Sequence, residues 1–106
     1  MQRDVNFTFL TGTIISTPSW VPLTNNKRAL VFTIQNNEVY VLADGRKSSH
    51  PNRIVVEVLG RNADKYFDEL SLNQRCQVVG YLRVDEMKGQ DKLRVRAFRI
   101  EDMSGD

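Results

Sequence analysis

Cysteine, histidine and tryptophan each occur once in this 106-residue chain. A lone Cys76 excludes an internal disulfide. With only His50 to join it, no soft ligand set for zinc can form. A reducing compartment fits such a chain. No apolar run is long enough to span a bilayer. The opening MQRDVNFTFLTG lacks the apolar centre of a secretory signal. Excess charge is missing too: 15 basic against 13 acidic side chains leave +2. A polyanion-binding surface must therefore come from where the cations fall, not from their number. Neither a glycine-rich phosphate loop nor a paired-carboxylate or metal spacing is visible. An enzyme and a cofactor are not expected, and His50 reads as a surface-loop residue.

What is present is a run of strand-like segments around one strand–helix unit. Ile54 to Leu70, IVVEVLGRNADKYFDEL, ends a strand at Gly60 and continues as a helix. Ala63, Tyr66, Phe67 and Leu70 recur at helical spacing and form one apolar stripe. Asn62 is the expected cap, with Asp64 in the first turn. So short a helix needs something to cover. The open bottom of a barrel would serve. Three strands, a helix and two more strands spell an all-β fold, a five-stranded OB barrel in a single domain over residues 1–106.

In chain order, Phe7 to Ile15 reads as the first strand. Gly12 in its middle implies sharp bending or a close backbone approach. Ser16 to Lys27, with Pro18 and Pro22, reads as a connector, Trp20 and Leu23 closing one barrel mouth. An exposed Trp20 would instead stack on a base. Ala29 to Gln35 is the second strand, and Val39 to Leu42 a short hairpin arm. Ala43 to Asn52, ADGRKSSHPN, reads as a loop whose Arg46 and Lys47 can meet a phosphate backbone. Arg53 to Gly60 is the third strand. Its Glu57 is placed on the face that meets solvent or a partner, and Gly60 is read as a point of close packing.

Arg75 to Val84 is the fourth strand, with Cys76, Val78, Gly80, Leu82 and Val84 inward. Gln77, Val79, Tyr81 and Arg83 then point outward. Asp85 to Asp91 reads as a polar hairpin loop with Lys88 and Gly89 at its tip. Lys92 to Ile100 is the fifth strand, Leu93, Val95 and Ala97 facing inward. A bulge is needed before Ile100, since Ile100 looks buried and Phe98 ambiguous. EDMSGD reads as a frayed tail.

The balanced total charge hides an uneven distribution. Arg83, Lys92, Arg94 and Arg96 share the outward phase of two neighbouring strands, around Tyr81. Cations for phosphates and a ring for a splayed base are what single-strand binding requires. Arg53 and Leu59 on the third strand extend the surface, with Trp20, Arg46, Lys47 and Lys88 as outlying candidates. A basic recognition helix for duplex DNA is lacking. The bland reading is a solvated face with ion pairs between strands.

Several segments together resemble the bacterial single-stranded DNA-binding protein family, including its primosomal replication branch. These are LTGTIISTP, the Leu30–Phe32–Ile34 strand, VLGRNADKYFDEL, CQVVGYLRV and LRVRAFRI. The resemblance implies an OB-fold, a dimer or tetramer, single-stranded DNA as ligand, and replication or repair proteins as partners. It implies a cytoplasmic or nucleoid-associated protein; an organelle matrix fits as well. Leu59 and Arg53 stand where the family carries outward aromatics. The final EDMSGD does not match the family's acidic-hydrophobic tail. RNA remains an alternative ligand, because a basic surface does not read the 2′-hydroxyl. The competing function is a protein–protein adaptor, motivated by those missing rings and by Val31, Val55, Leu59 and Val79 in exposed phase. Self-association through strand edges or the Val39–Leu42 arm is expected on either reading.

Overall fold

The computed structural model describes residues 3–87 and 90–104, with backbone alone at 85–87 and 90–91. Its strands are β1 (Thr8–Ile14), β2 (Ser19–Pro22), β3 (Arg28–Val41), β4 (Lys47–Val58), β5 (Arg75–Met87) and β6 (Gln90–Asp102). One helix, α1 (Arg61–Glu69), separates β4 from β5. The sheet runs β1-β5-β6-β4-β3-β2, and β1 also pairs with β3. That extra pairing closes five long strands into a barrel, leaving β2 as a short edge. The expected OB architecture is the one observed.

Closure happens at Gly12. A Cβ there would lie 2.8 Å from the Gln35 carbonyl oxygen, so no larger residue lets β1 cross β3 this closely. Thr13 and Ile14 then register against Gln35 and Ile34. The other seam is the parallel pairing of β4 with β6, Val56 beside Val95 and Glu57 beside Arg96.

Alternate residues of these strands fill the interior. Ile14, Leu30, Phe32, Ile34, Val56, Val58, Val78 and Val95 are fully or almost fully buried. Cys76 joins them as a small apolar group, as its phase predicts. The helix lays Ala63, Tyr66 and Leu70 over one end of this core. Phe67, also in the stripe, stays exposed at its rim and meets Trp20.

The bulge expected near Ile100 is present. Val79 pairs with Arg99 and Gly80 with Ala97, so Phe98 is the extra residue of β6. Phe98 turns outward while Ile100 returns to the core. Val79, which was expected to face solvent, is buried, opposite Phe9 of β1 and Arg99 of β6.

Several boundaries differ from expectation, for one physical reason: the hairpins outrun the barrel. Residues 47–52, read as loop, are strand and pair with Asn36 to Val41. His50 thus lies on β4 opposite Glu38. Likewise β5 and β6 continue through the polar stretch expected to be a loop, and Lys88 and Gly89 fall outside the described residues. Beyond the barrel there is no interior, so Leu82, Val84 and Leu93 are exposed despite their inward phase. Glu101 and Asp102, assigned to a tail, still pair with Gln77 and Cys76.

The connector contains β2, whose Pro22 is tolerated because β2 is an edge. Asn62 does not cap the helix. Gly60 occupies the cap position with φ of 74°, and no side chain bonds there. Gly60 also has open space around its missing Cβ, so the backbone conformation, not close packing, calls for glycine.

Candidate nucleic-acid interface

Cross-strand register decides which cations meet. On the outward face Tyr81 stands opposite Arg96 and Arg83 opposite Arg94. Across the parallel seam, Arg96 stands beside Glu57. Tyr81, Arg83, Arg94 and Arg96 are therefore brought together as expected. The row also contains an anion, Glu57, that was expected to meet solvent or a partner.

Glu57 is only 2% exposed. Its Oε1 accepts from Arg96 Nε at 2.9 Å, with Arg96 Nη2 also 2.9 Å away as an ion pair, and its Oε2 accepts from Arg94 Nη1 at 3.0 Å. The two arginine side chains are 22% and 20% exposed. A carboxylate taken out of water without partners would cost several kcal/mol (about 3–5 when one partner is removed). Two charge-assisted contacts are what allow it there. Burial works against the charge on Arg96, but Tyr81 and Glu57 outweigh it and hold the guanidinium above its ordinary pKa. Arg94 and Arg96 are thus partly buried ion-pair members, not side chains extended into water. Alternation could not reveal this. The signal was Glu57 in phase with two arginines on a strand that the sequence does not show to be its neighbour.

The other candidates scatter around this centre. Arg53 is exposed opposite Gln35 and borders a cleft of about 530 Å³ lined by Phe7, Phe9, Leu82 and Leu93. Arg83 and Lys92 are exposed on the hairpin beyond the barrel. Arg46 is bound to Asp44 at 2.6 Å at the turn between β3 and β4, and Lys47 opens β4 opposite Val41. Both lie along the β3–β4 arm, away from the Tyr81 cluster. Lys88 lies outside the described residues.

Trp20 and Leu59 line a separate cleft of about 500 Å³ with Leu23, Lys27, Arg28 and Asp64. Trp20 is half-buried, as a barrel-mouth residue should be. The Arg28 guanidinium lies 3.7 Å over its ring and Phe67 lies 5.3 Å away at a tilt. Arg28 also reaches Asp64 at 3.5 Å. Sequence reading named Trp20 and Leu59 but not Arg28, which only the β2–β3 register brings over the indole.

The closed barrel, its bulged closing strand and the helix across one end define an OB-fold. Comparison with known proteins narrows this class. The model of the Single-strand binding protein family matches residues 5–102. The chain belongs to that family. A deletion mutant of the single-stranded DNA binding protein from Thermus aquaticus superposes with a TM-score of 0.83 at 25% identity, over 99% of this chain and 53% of that one. The chain therefore spans about half the length of the Thermus protein. A small single-stranded DNA-binding protein from Streptomyces coelicolor gives 0.74 at 18% identity, covering 95% of both chains. The Plasmodium falciparum SSB in complex with ssDNA gives 0.79 at 17%, covering 97% of this chain and 98% of that one. These last two share the fold. A search of the curated proteins finds no match.

Among the described residues, no group of three or more His, Cys, Asp or Glu side chains is placed to hold a metal ion. Nor is any helix long and apolar enough to cross a membrane.

Proposed function

We propose that this protein binds single-stranded DNA without chemical turnover, in replication, recombination or repair. The observation that carries the reading is the Tyr81–Arg96–Arg94 cluster on the outward face of a family-typical barrel, flanked by exposed Arg83, Lys92 and Arg53. Membership of the Single-strand binding protein family supports it. So does the structural match to a Thermus aquaticus protein named for single-stranded DNA binding. Exposed cations supply phosphate contacts, and flat side chains supply surfaces for unstacked bases. A cytoplasmic or nucleoid-associated setting follows from such a ligand.

Self-association belongs to the same reading. Of β1, Thr13 and Ile14 pair with β3 and the Thr11 carbonyl accepts from Asn36 Nδ2, so from Thr8 to Leu10 that edge has no β3 ladder partner. The β3–β4 arm also exposes Val39, Tyr40, Val41 and Leu42. A dimer or tetramer would cover such surfaces.

The test is a titration of labelled single-stranded DNA and RNA oligonucleotides at low and moderate salt. Binding that weakens steeply with salt is expected. Absence of binding to both, at both salt concentrations, overturns the reading and favours a protein adaptor.

A further inference from the structure

Resting on the proposal that the Tyr81 face meets a single strand, we infer that Glu57 turns Arg94 and Arg96 from phosphate clamps into flat platforms for bases. Both guanidiniums spend edge N–H groups on the Glu57 carboxylate, at 2.9 and 3.0 Å. A phosphate is recognised through those same edges. With these donors engaged by Glu57 and one of two charges cancelled, each guanidinium has less to offer a phosphate and keeps its planar face for a base. Guanidinium planes stack on bases as aromatic rings do.

The chain has use for such surfaces. Arg53 and Leu59 provide no aromatic ring on this side of β4, and Tyr81 lies directly opposite Arg96. Glu57 also makes the platforms rigid. An arginine held by a buried carboxylate loses less freedom on stacking than one extended into water. Phosphate contacts then fall to the more exposed cations, Arg53, Arg83 and Lys92.

The experiment compares oligothymidylate with an abasic strand of equal length, by fluorescence anisotropy across about 50 to 200 mM salt. In the parent, the abasic strand binds more weakly. Arg94→Lys keeps the charge and loses the plane. It is expected to weaken oligothymidylate binding about tenfold, the loss of one stacked base. The salt slope and the abasic affinity should stay unchanged. Glu57→Gln frees the arginine edges, so its slope should steepen by about 0.7 for each charge released. If Glu57→Gln does not fold, Arg94→Lys decides alone, since lysine can still pair with the carboxylate. Parental affinity in Arg94→Lys, or equal losses on both strands, overturns the inference. Failure of the parent to bind either strand sinks the functional reading itself, a separate result.

Discussion

The Tyr66 hydroxyl accepts the amide hydrogen of Ile100 at 3.0 Å, tying the helix to the strand that closes the barrel. Ile100 lies opposite Val78 in the β5–β6 ladder, beyond Val95 and Arg96, where β6 pairs with β4. A backbone group without a strand partner must still be satisfied, and inside a barrel no water is at hand to do it. Tyr66 supplies the missing acceptor while its ring fills the barrel end. Removing the oxygen alone, by Tyr66→Phe, should cost about 1–3 kcal/mol through one unsatisfied buried N–H. Urea unfolding would measure it. Stability within about 0.5 kcal/mol of the parent would mean the hydroxyl is dispensable.

Burial pushes the Cys76 thiol up to about 11; Arg75 opposes the shift and Asp102 adds to it. The sign of the consequence is fixed by proton counts. Between about pH 9 and 11 the unfolded chain loses its thiol proton while the folded chain keeps it. Folding stability is therefore fully present below about pH 9 and declines as pH rises towards 11. The full decline is about 3 kcal/mol for this group. A Cys76→Ala variant lacks this term, so the stability gap between parent and variant should narrow or reverse over that window. A gap that stays constant would place the thiol in a wetter environment. Alkylation of the folded parent near pH 8 should be slow for the same reason.

Arg28 covers one face of Trp20, the sole tryptophan, so intrinsic fluorescence reports on a single cleft. Arg28→Ala should red-shift the emission and raise its quenching by acrylamide. The stability loss should be small, about 0.5–1 kcal/mol, because the contact is near the surface and the Asp64 pair is exposed. Unchanged quenching would mean that Arg28 does not shield the ring in solution.

Strand phase made much of the fold legible. Alternation found the core of β3, β4 and β5, and a clash of phase between Ala97 and Ile100 found the bulge. Alternation could not say where the barrel stops. Leu82, Val84 and Leu93 repeat the inward pattern of Val78 and Val95, yet stand on a hairpin with no interior behind it. Nor could a single sequence show that β4 and β6 run side by side. Glu57 looked solvated because its buried partners come from a strand about 40 residues later, across the one parallel seam. The grouping of Tyr81 with Arg83, Arg94 and Arg96 was visible, since a hairpin is a local object. The ion pairs that set what those arginines can do were not.

Gly80 joins fold and site in one position, so changing it should disturb both. β5 and β6 approach there so closely that a Cβ would fall 2.1 Å from the Arg96 carbonyl oxygen and 2.8 Å from the Ala97 Cα. Both are backbone atoms, so no side chain can swing aside to make room. Gly80→Ala must push β6 outward at the bulge. The displaced segment carries Arg96, whose geometry against Glu57 depends on that backbone. A loss of about 3 kcal/mol is expected, at the upper end for overpacking. Gly45 offers the contrast: its missing Cβ has open space, and its φ of 87° alone resists substitution. Gly45→Ala should therefore cost less, about 1 kcal/mol, and leave oligonucleotide binding as it was. Urea melts and anisotropy titrations on both variants give the comparison. Equal stability losses would mean that the β5–β6 contact relaxes freely, and unimpaired binding by Gly80→Ala would separate the bulge from the binding face.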